Sequence, residues 1–242
     1  MERGYKINIL DEIGAVYYDG HYGCDSDIPR IARVSTGSLN KGEEQDKKLL
    51  SYLYRNNHSS PFEFCSITFK LDLPLFVRDQ VVRHRCGKYN IHSFRYSQPE
   101  EKFYVPKEWR KQADKNHQDS IQQTGFNPHI ITSDGTGHMW EADATNFIKD
   151  TSKQSYELYE ELLKAGIARE MARMVLGTNI YTSMYMQMDL NNLMKFFRLR
   201  IHPHAQYEVR VYAEAMFSIF EQLFPHCAEC YKKYKMIIVT EE

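Results

Sequence analysis

Between Arg78 and Arg95 lie five basic side chains, Arg78, Arg83, Arg85, Lys88 and Arg95, and one acid, Asp79. The whole chain carries 31 Lys and Arg against 32 Asp and Glu, a formal charge of −1, so this excess is local. It is either an anion site or a solvated face. Arg83-His84-Arg85 falls where an expected helix gives way to an extended segment. Neighbouring side chains there would fan around a turn and converge on several phosphate oxygens. Ser93 and Arg95 are two residues apart in that segment, which would put them on one face. A hydroxyl beside a planar fork of donors suits a phosphate or a uracil-like edge. The same alternation turns His92 away from Ser93, which argues against a serine-hydrolase pair. Two more arginines sit among apolar residues: Arg173 within Met171-Ala172-Arg173-Met174-Val175, and Arg200, three residues after Phe197 and seven after Leu193. Each is either a stem-buried cation reaching outward or a guanidinium aimed into a pocket. In a pocket, an anionic ligand would offset the cost of burying the charge.

Other clusters carry less chemistry. Cys227-Ala228-Glu229-Cys230, with His226 beside it and His202 and His204 earlier, raises a zinc or redox site, but no second pair stands at zinc spacing. Cys86 next to Arg85 would be an activated thiolate or a packed thiol, and packing is the expectation for it. The basic cluster with 17 Tyr and 13 Phe offers an alternative function, stacking on single-stranded nucleic acid. The aromatic residues spread along the whole length, however, which favours packing, and the near-zero net charge argues against a dedicated DNA binder. No metal is expected.

These side chains must be positioned by an ordinary folded chain: 242 residues, 42% hydrophobic and 26% charged, suit one sizeable core. Five cysteines and an N-terminus without a signal-peptide pattern predict reduced thiols in the cytoplasm. No apolar run approaches the ~18–20 residues that span a bilayer. Residues 6–10 and 15–18 read as short strands. Asp27 is expected to cap a helix to Arg33, and Glu43 to Arg55 has an inward Leu49, Leu50, Leu53 stripe. Residues 62–73 alternate with period two, a strand, ended by Pro74, which opens a helix through Arg85. Residues 89–97 and 103–105 read as extended, and 106–142 as a loop insertion. Helices are expected over 141–164, stopped at Gly166, then over 168–176. An extended run covers 180–188, then come a helix capped by Asp189 through Arg200 and a last one over 204–224. The sum is α+β, a single domain with an antiparallel sheet and long helices packed on it.

The triplet Arg83-His84-Arg85, followed after seven residues by Ser93 and then Arg95-Tyr96-Ser97, resembles the signature of the flavin-dependent thymidylate synthases. Further segments agree in order and near spacing: Ala32-Arg33-Val34-Ser35, His58-Ser59-Ser60-Pro61-Phe62-Glu63, Ala172-Arg173-Met174-Val175-Leu176, Leu199-Arg200 and His204-Ala205-Gln206. The resemblance spans roughly residues 5–105 and 145–235. It implies a homotetramer with active sites shared between subunits, making dTMP from dUMP. Methylenetetrahydrofolate would supply the carbon, and FAD reduced by NADPH the hydride. By position, FAD would be held by His58, Ser60, Arg83, His84, Arg85, Ile91, Asp189, Leu190, Asn191 and Lys195. The nucleotide would meet Gln80, Val81, Val82, Arg83, Arg173 and Arg200, with Ile91, His92, Ser93, Phe94 and Arg95 coming from a neighbouring subunit. Arg200 would stabilise the charge that develops on the pyrimidine, the catalytic role, and Ser93 would bind rather than attack. The chain departs from the family at Ile91, where Glu is frequent, and at Asp189 and Lys195, where Asn is frequent. Its 106–142 segment is also long.

Overall fold

The structure, a computed structural model, describes residues 1–38, 42–114, 120–133, 137 and 139–234. Strands β1 (Lys6–Ile9), β2 (Gly14–Tyr22), β3 (Ser66–Pro74) and β4 (Lys88–Ile91) join a later strand in one sheet. Between them come helices α1 (Asp27–Ala32), α2 (Glu43–Arg55) and α3 (Leu75–Val81). Two small hairpins follow, β5 (Arg110–Gln112) with β6 (Ser120–Gln122) and β7 (His129–Ser133) with β8 (Met139–Asp143). Then come α4 (Ala144–Lys164), α5 (Arg169–Ala172), β9 (Tyr181–Asp189), α6 (Leu190–Arg200), α7 (Tyr207–Leu223) and α8 (Pro225–Tyr234). The main sheet has the order β1-β2-β3-β9-β4, and every neighbouring pair is antiparallel.

The alternation in β3 does what its period predicts. Ile67, Phe69, Leu71 and Leu73 are fully buried, and the first three stand opposite Met188, Met186 and Met184 of β9. Leu50 and Leu53 of α2, Phe196 and Phe197 of α6, Phe220 of α7 and Tyr231 of α8 share that core. A second, smaller cluster gathers Phe94, Tyr156, Tyr159, Ala172 and Ile180. The antiparallel sheet with helices on it is therefore as the sequence implies.

Several boundaries differ, each for a local reason. Ser60–Phe64 forms a 3-10 turn, so the third strand starts at Ser66. The helix opened by Pro74 stops at Val81, before the basic triplet. In place of the expected 89–97 extension the strand is Lys88–Ile91, because the Ser93 carbonyl accepts turn hydrogen bonds from the backbone N–H groups of Tyr96 and Ser97. Asp27 is not a cap but the first residue of α1, where its carboxylate accepts from the Cys24 N–H at 2.9 Å and pairs with Arg30 at 2.6 Å. The 168–176 helix is one α-turn followed by a 3-10 turn, Arg173–Val175. Residues 106–142 hold two hairpins rather than a loop, and the first is tied down by Arg110, whose guanidinium grips both oxygens of the buried Glu208. The last expected helix starts at Tyr207 and ends at Leu223, and a further helix, α8, follows it. The carboxylate of Asp25 accepts the N–H groups of His226 and Cys227 at the start of α8. Among the described residues, no helix is long and apolar enough to cross a membrane.

Candidate functional site

The basic triplet sits in the turn between α3 and β4, and the turn is tightly made. The Tyr89 hydroxyl donates to the carbonyls of His84 (2.7 Å) and Val81 (3.2 Å), and the Gly87 N–H also reaches the His84 carbonyl. A Cβ at Gly87 would lie 2.4 Å from the Tyr89 hydroxyl, so that position requires glycine. The turn presents His84 to the end of α6. Arg200 Nε donates to His84 Nε2 at 3.0 Å, and Arg200 Nη2 donates to the Gln80 carbonyl at 3.2 Å. The imidazole meets Phe196 edge-on at 4.8 Å. Burial, and secondarily the nearby Arg200 charge, push the His84 pKa down to about 4, while burial also lowers that of Arg200. His84 is therefore neutral at pH 7 and acts as the acceptor, with its proton on Nδ1. Arg83 and Arg85 point outward, and among the described residues neither has an ion-pair partner.

A second group lies along another flank of α6. Leu53, Tyr54, His58, Ser59, Phe62, Asn191, Met194, Lys195 and Arg198 line a cleft of about 300 Å³. His58 is exposed and stacks on Tyr52 with ring centroids 5.8 Å apart. The Asn191 amide donates to Glu63 at 3.0 Å, a contact that ties the 60–64 turn to the start of α6. Asp189 caps that helix, its carboxylate accepting the Asn192 N–H at 3.0 Å and the Asn192 amide at 2.7 Å. Leu190 is fully buried, so its side chain belongs to the core. Ser60 is exposed and lines an adjoining hollow of about 530 Å³, which shares His58 with the cleft and adds Thr36, Lys48 and Tyr52.

A third group sits beyond the other end of β4. Arg95 pairs with Glu170 at 3.0 Å, and Arg173 Nε points to the Glu170 carbonyl at 3.4 Å. Arg173 is exposed, so of the two arginines found among apolar residues only Arg200 is drawn inward. Ser93 does not share a strand face with Arg95: its hydroxyl accepts the Arg95 backbone N–H at 3.3 Å, closing a turn. His92 does find a serine, but it is Ser97, 2.5 Å away, on an exposed turn. Phe94 is buried in the second cluster and Val81 in the main core, which leaves their backbones as the groups on offer; Val82 is partly buried against the main core. Ile91 is exposed at the end of β4.

The expected site residues thus form three groups. At about 100° per residue, the positions Asn191, Lys195 and Arg198 and the positions Phe196 and Arg200 fall on nearly opposite flanks of α6. A cavity of about 440 Å³ beside Tyr104, Arg110 and Arg210 takes none of these residues. Cys227 and Cys230 are buried and burial raises both thiols, whereas Cys86 is exposed rather than packed. The His84–Arg200 pair and the Glu63–Asn191 tie were invisible in the sequence. Both partners of the first stood out individually, but only the path of the turn joins them.

Residues 20–226 match the family described as thymidylate synthase complementing protein. The chain is 37% identical to the flavin-dependent thymidylate synthase of Wolbachia pipientis wMel, over 97% of this chain and 84% of that protein. It is 39% identical to the enzyme of the same name from Thermus thermophilus, over 93% and 77% of the two chains. Among solved structures it superposes on a UMP/dUMP methylase, PolB of Streptomyces cacaoi bound with 5-Br dUMP. There the TM-score is 0.78 and the identity 27%, over 92% of this chain and 96% of that one.

Proposed function

We propose, for this chain, which belongs to the flavin-dependent thymidylate synthase family, the reductive methylation of dUMP to dTMP. In that reaction methylenetetrahydrofolate gives the one-carbon unit, and FAD reduced by NADPH gives the hydride. The observation that carries the reading is Arg200: a half-buried guanidinium held by a neutral histidine and a carbonyl, with no carboxylate partner among the described residues. Such a cation is ready for an anion that forms during a reaction. Beside the pyrimidine it would stabilise negative charge as the uracil ring loses its N3 proton. That raises electron density at carbon 5, which then attacks the one-carbon unit and later gives up its hydrogen as a proton. Removing one preorganised donor of this kind typically costs ~10²–10³ in rate.

The residues present fit a flavin dinucleotide. The cleft beside α6 is walled by Leu53, Tyr54, Phe62 and Met194, suited to an apolar ring, and carries Lys195 and Arg198 for phosphate. The start of α6 adds backbone donors, while Asp189 is occupied as its cap. Arg83 and Arg85, exposed and without ion-pair partners among the described residues, suit the pyrophosphate. His58, Ser60, Asn191 and Lys195 complete the proposed cofactor set, with Ile91 offering only its backbone. When bound, the flavin supplies hydride chemistry that no side chain provides. Arg95, Ser93 and Arg173 are proposed to meet the dUMP phosphate and sugar across a subunit boundary. The division of the site into groups on opposite flanks of α6 and at the far end of β4 supports sites completed by neighbouring copies, in a homotetramer.

The test is a visible spectrum of the purified protein, followed without oxygen. A flavin spectrum that bleaches with NADPH, with dTMP formed on adding dUMP and methylenetetrahydrofolate, is expected. A protein that stays colourless with added FAD, or one that bleaches without making dTMP, contradicts the proposal.

A further inference from the structure

We propose that His84 is a positioning residue for Arg200: a neutral acceptor that aims the guanidinium at the pyrimidine without cancelling its charge. The inference rests on the reading that Arg200 faces the nucleotide, and it assigns His84 a task other than holding the cofactor.

The geometry carries it. A guanidinium has five N–H donors in a rigid plane. His84 Nε2 takes Nε–H at 3.0 Å and the Gln80 carbonyl takes one hydrogen of Nη2 at 3.2 Å. Both acceptors come from the α3 end and the turn that follows it, and they engage two different nitrogens of the guanidinium. The guanidinium is therefore fixed in rotation, and the other hydrogen of Nη2 and the two of Nη1 remain for a ligand. A carboxylate at the position of His84 would make a stronger hydrogen bond and would neutralise the cation. The imidazole, kept uncharged by burial, fixes the geometry and leaves the full positive charge.

The support beneath His84 has the same character. Its carbonyl is held by the Tyr89 hydroxyl and the Gly87 N–H, its own N–H by the Val81 carbonyl, and its ring by a T-shaped contact with Phe196. Among the described residues no acidic side chain pairs with Arg200 from α3, β4 or α6. Misplacing a catalytic group by about 1 Å costs on the order of 10²-fold in rate, so an unanchored Arg200 retains its charge and loses its aim.

The experiment is a series on the flavin-loaded protein, reading kcat, KM for dUMP, dUMP affinity by calorimetry and flavin content by absorbance. His84→Gln, which keeps a neutral acceptor at similar reach, is expected to hold kcat within several-fold of the parent. His84→Ala is expected to lose ~10–100-fold in kcat with flavin content unchanged. His84→Glu is expected to lose at least as much, since it anchors Arg200 and quenches it. In the double variant His84→Ala/Arg200→Ala, the loss of dUMP affinity should equal that of Arg200→Ala alone, because a residue acting through another adds nothing once the other is gone. Equal activity of the Gln and Glu variants overturns the proposal, as do additive losses in the double variant or flavin lost from every His84 variant. Near-parental turnover by Arg200→Ala would instead sink the reading of Arg200 itself, whatever the His84 series shows.

Discussion

Arg200 and Arg173 looked alike as letters among apolar neighbours, and they diverge because of what each meets in space. Arg173 reaches the surface beside Glu170, where solvent shares its charge. Arg200 is met by His84, whose readiness to take up a proton falls with burial and with the guanidinium charge beside it. This has a measurable consequence. A free histidine titrates near 6.5, and His84 in the folded protein near 4. Between those values the unfolded chain binds the proton and the folded one resists it, so stability falls as pH drops from about 6.5 to about 4. His84→Gln is expected to flatten that part of the profile, measured as denaturant midpoint against pH; an unchanged slope would contradict the half-buried neutral imidazole. The sequence showed that these residue types mattered and roughly where. The partner of Arg200 stayed hidden, because residues 84 and 200 are 116 positions apart and only the fold joins them.

At the scale of elements, regular patterns were legible and irregular connections were not. The period-two run of β3, the stripe of α2 and the Asp189 cap all follow from residue chemistry that acts within a few positions. The end of α3, the turn after β4 and the hairpins of 106–142 escape that kind of reading. Tyr89 reaches back to hold the basic turn, and Glu208 anchors the first hairpin from far along the chain. Ser93 is an example, since its hydroxyl closes a turn where alternation predicts a strand. Two stability predictions belong here. Asp189→Ala removes the acceptor of the Asn192 N–H and is expected to cost about 0.5–2 kcal/mol, read by thermal or chemical denaturation. Gly14→Ala places a Cβ 2.7 Å from the Tyr212 hydroxyl, which is hydrogen-bonded to the Asp72 carbonyl. With Tyr212 fully buried, that overlap is expected to cost about 1–3 kcal/mol. Little change at position 14 would mean that the start of β2 has room that the packing denies it.

The whole molecule brings the proposed chemistry close to α6 and β4 and then leaves it divided. One flank of the helix carries the cleft by His58, another carries Arg200, and Arg95 with Arg173 lies past the far end of β4. A division of this kind is what shared sites require, and it predicts complementation. Arg200→Ala and Arg95→Ala are each expected to be nearly inactive alone. Dissociated and reassembled together, they should recover turnover, because some sites then draw both native residues from different copies. No recovery from verified mixed oligomers would place both arginines in one subunit's site. Assembly itself is checked by light scattering on the eluted protein, with a tetramer expected. The shape of the single chain was largely readable from its sequence. The completion of its sites was implied by resemblance alone, since no periodicity within one chain reports what a neighbouring copy contributes.

Methylation of dUMP through Arg200 is tested by tritium release from dUMP labelled at carbon 5, measured on flavin-loaded parent protein and on Arg200→Ala. Release by the parent in step with dTMP, and a loss of about 10²–10³-fold in the variant at unchanged flavin content, is the predicted result. Parent protein that binds flavin and dUMP yet releases no tritium in the presence of methylenetetrahydrofolate and NADPH would contradict the methylation reading, and a variant releasing it at the parental rate would remove Arg200 from its centre.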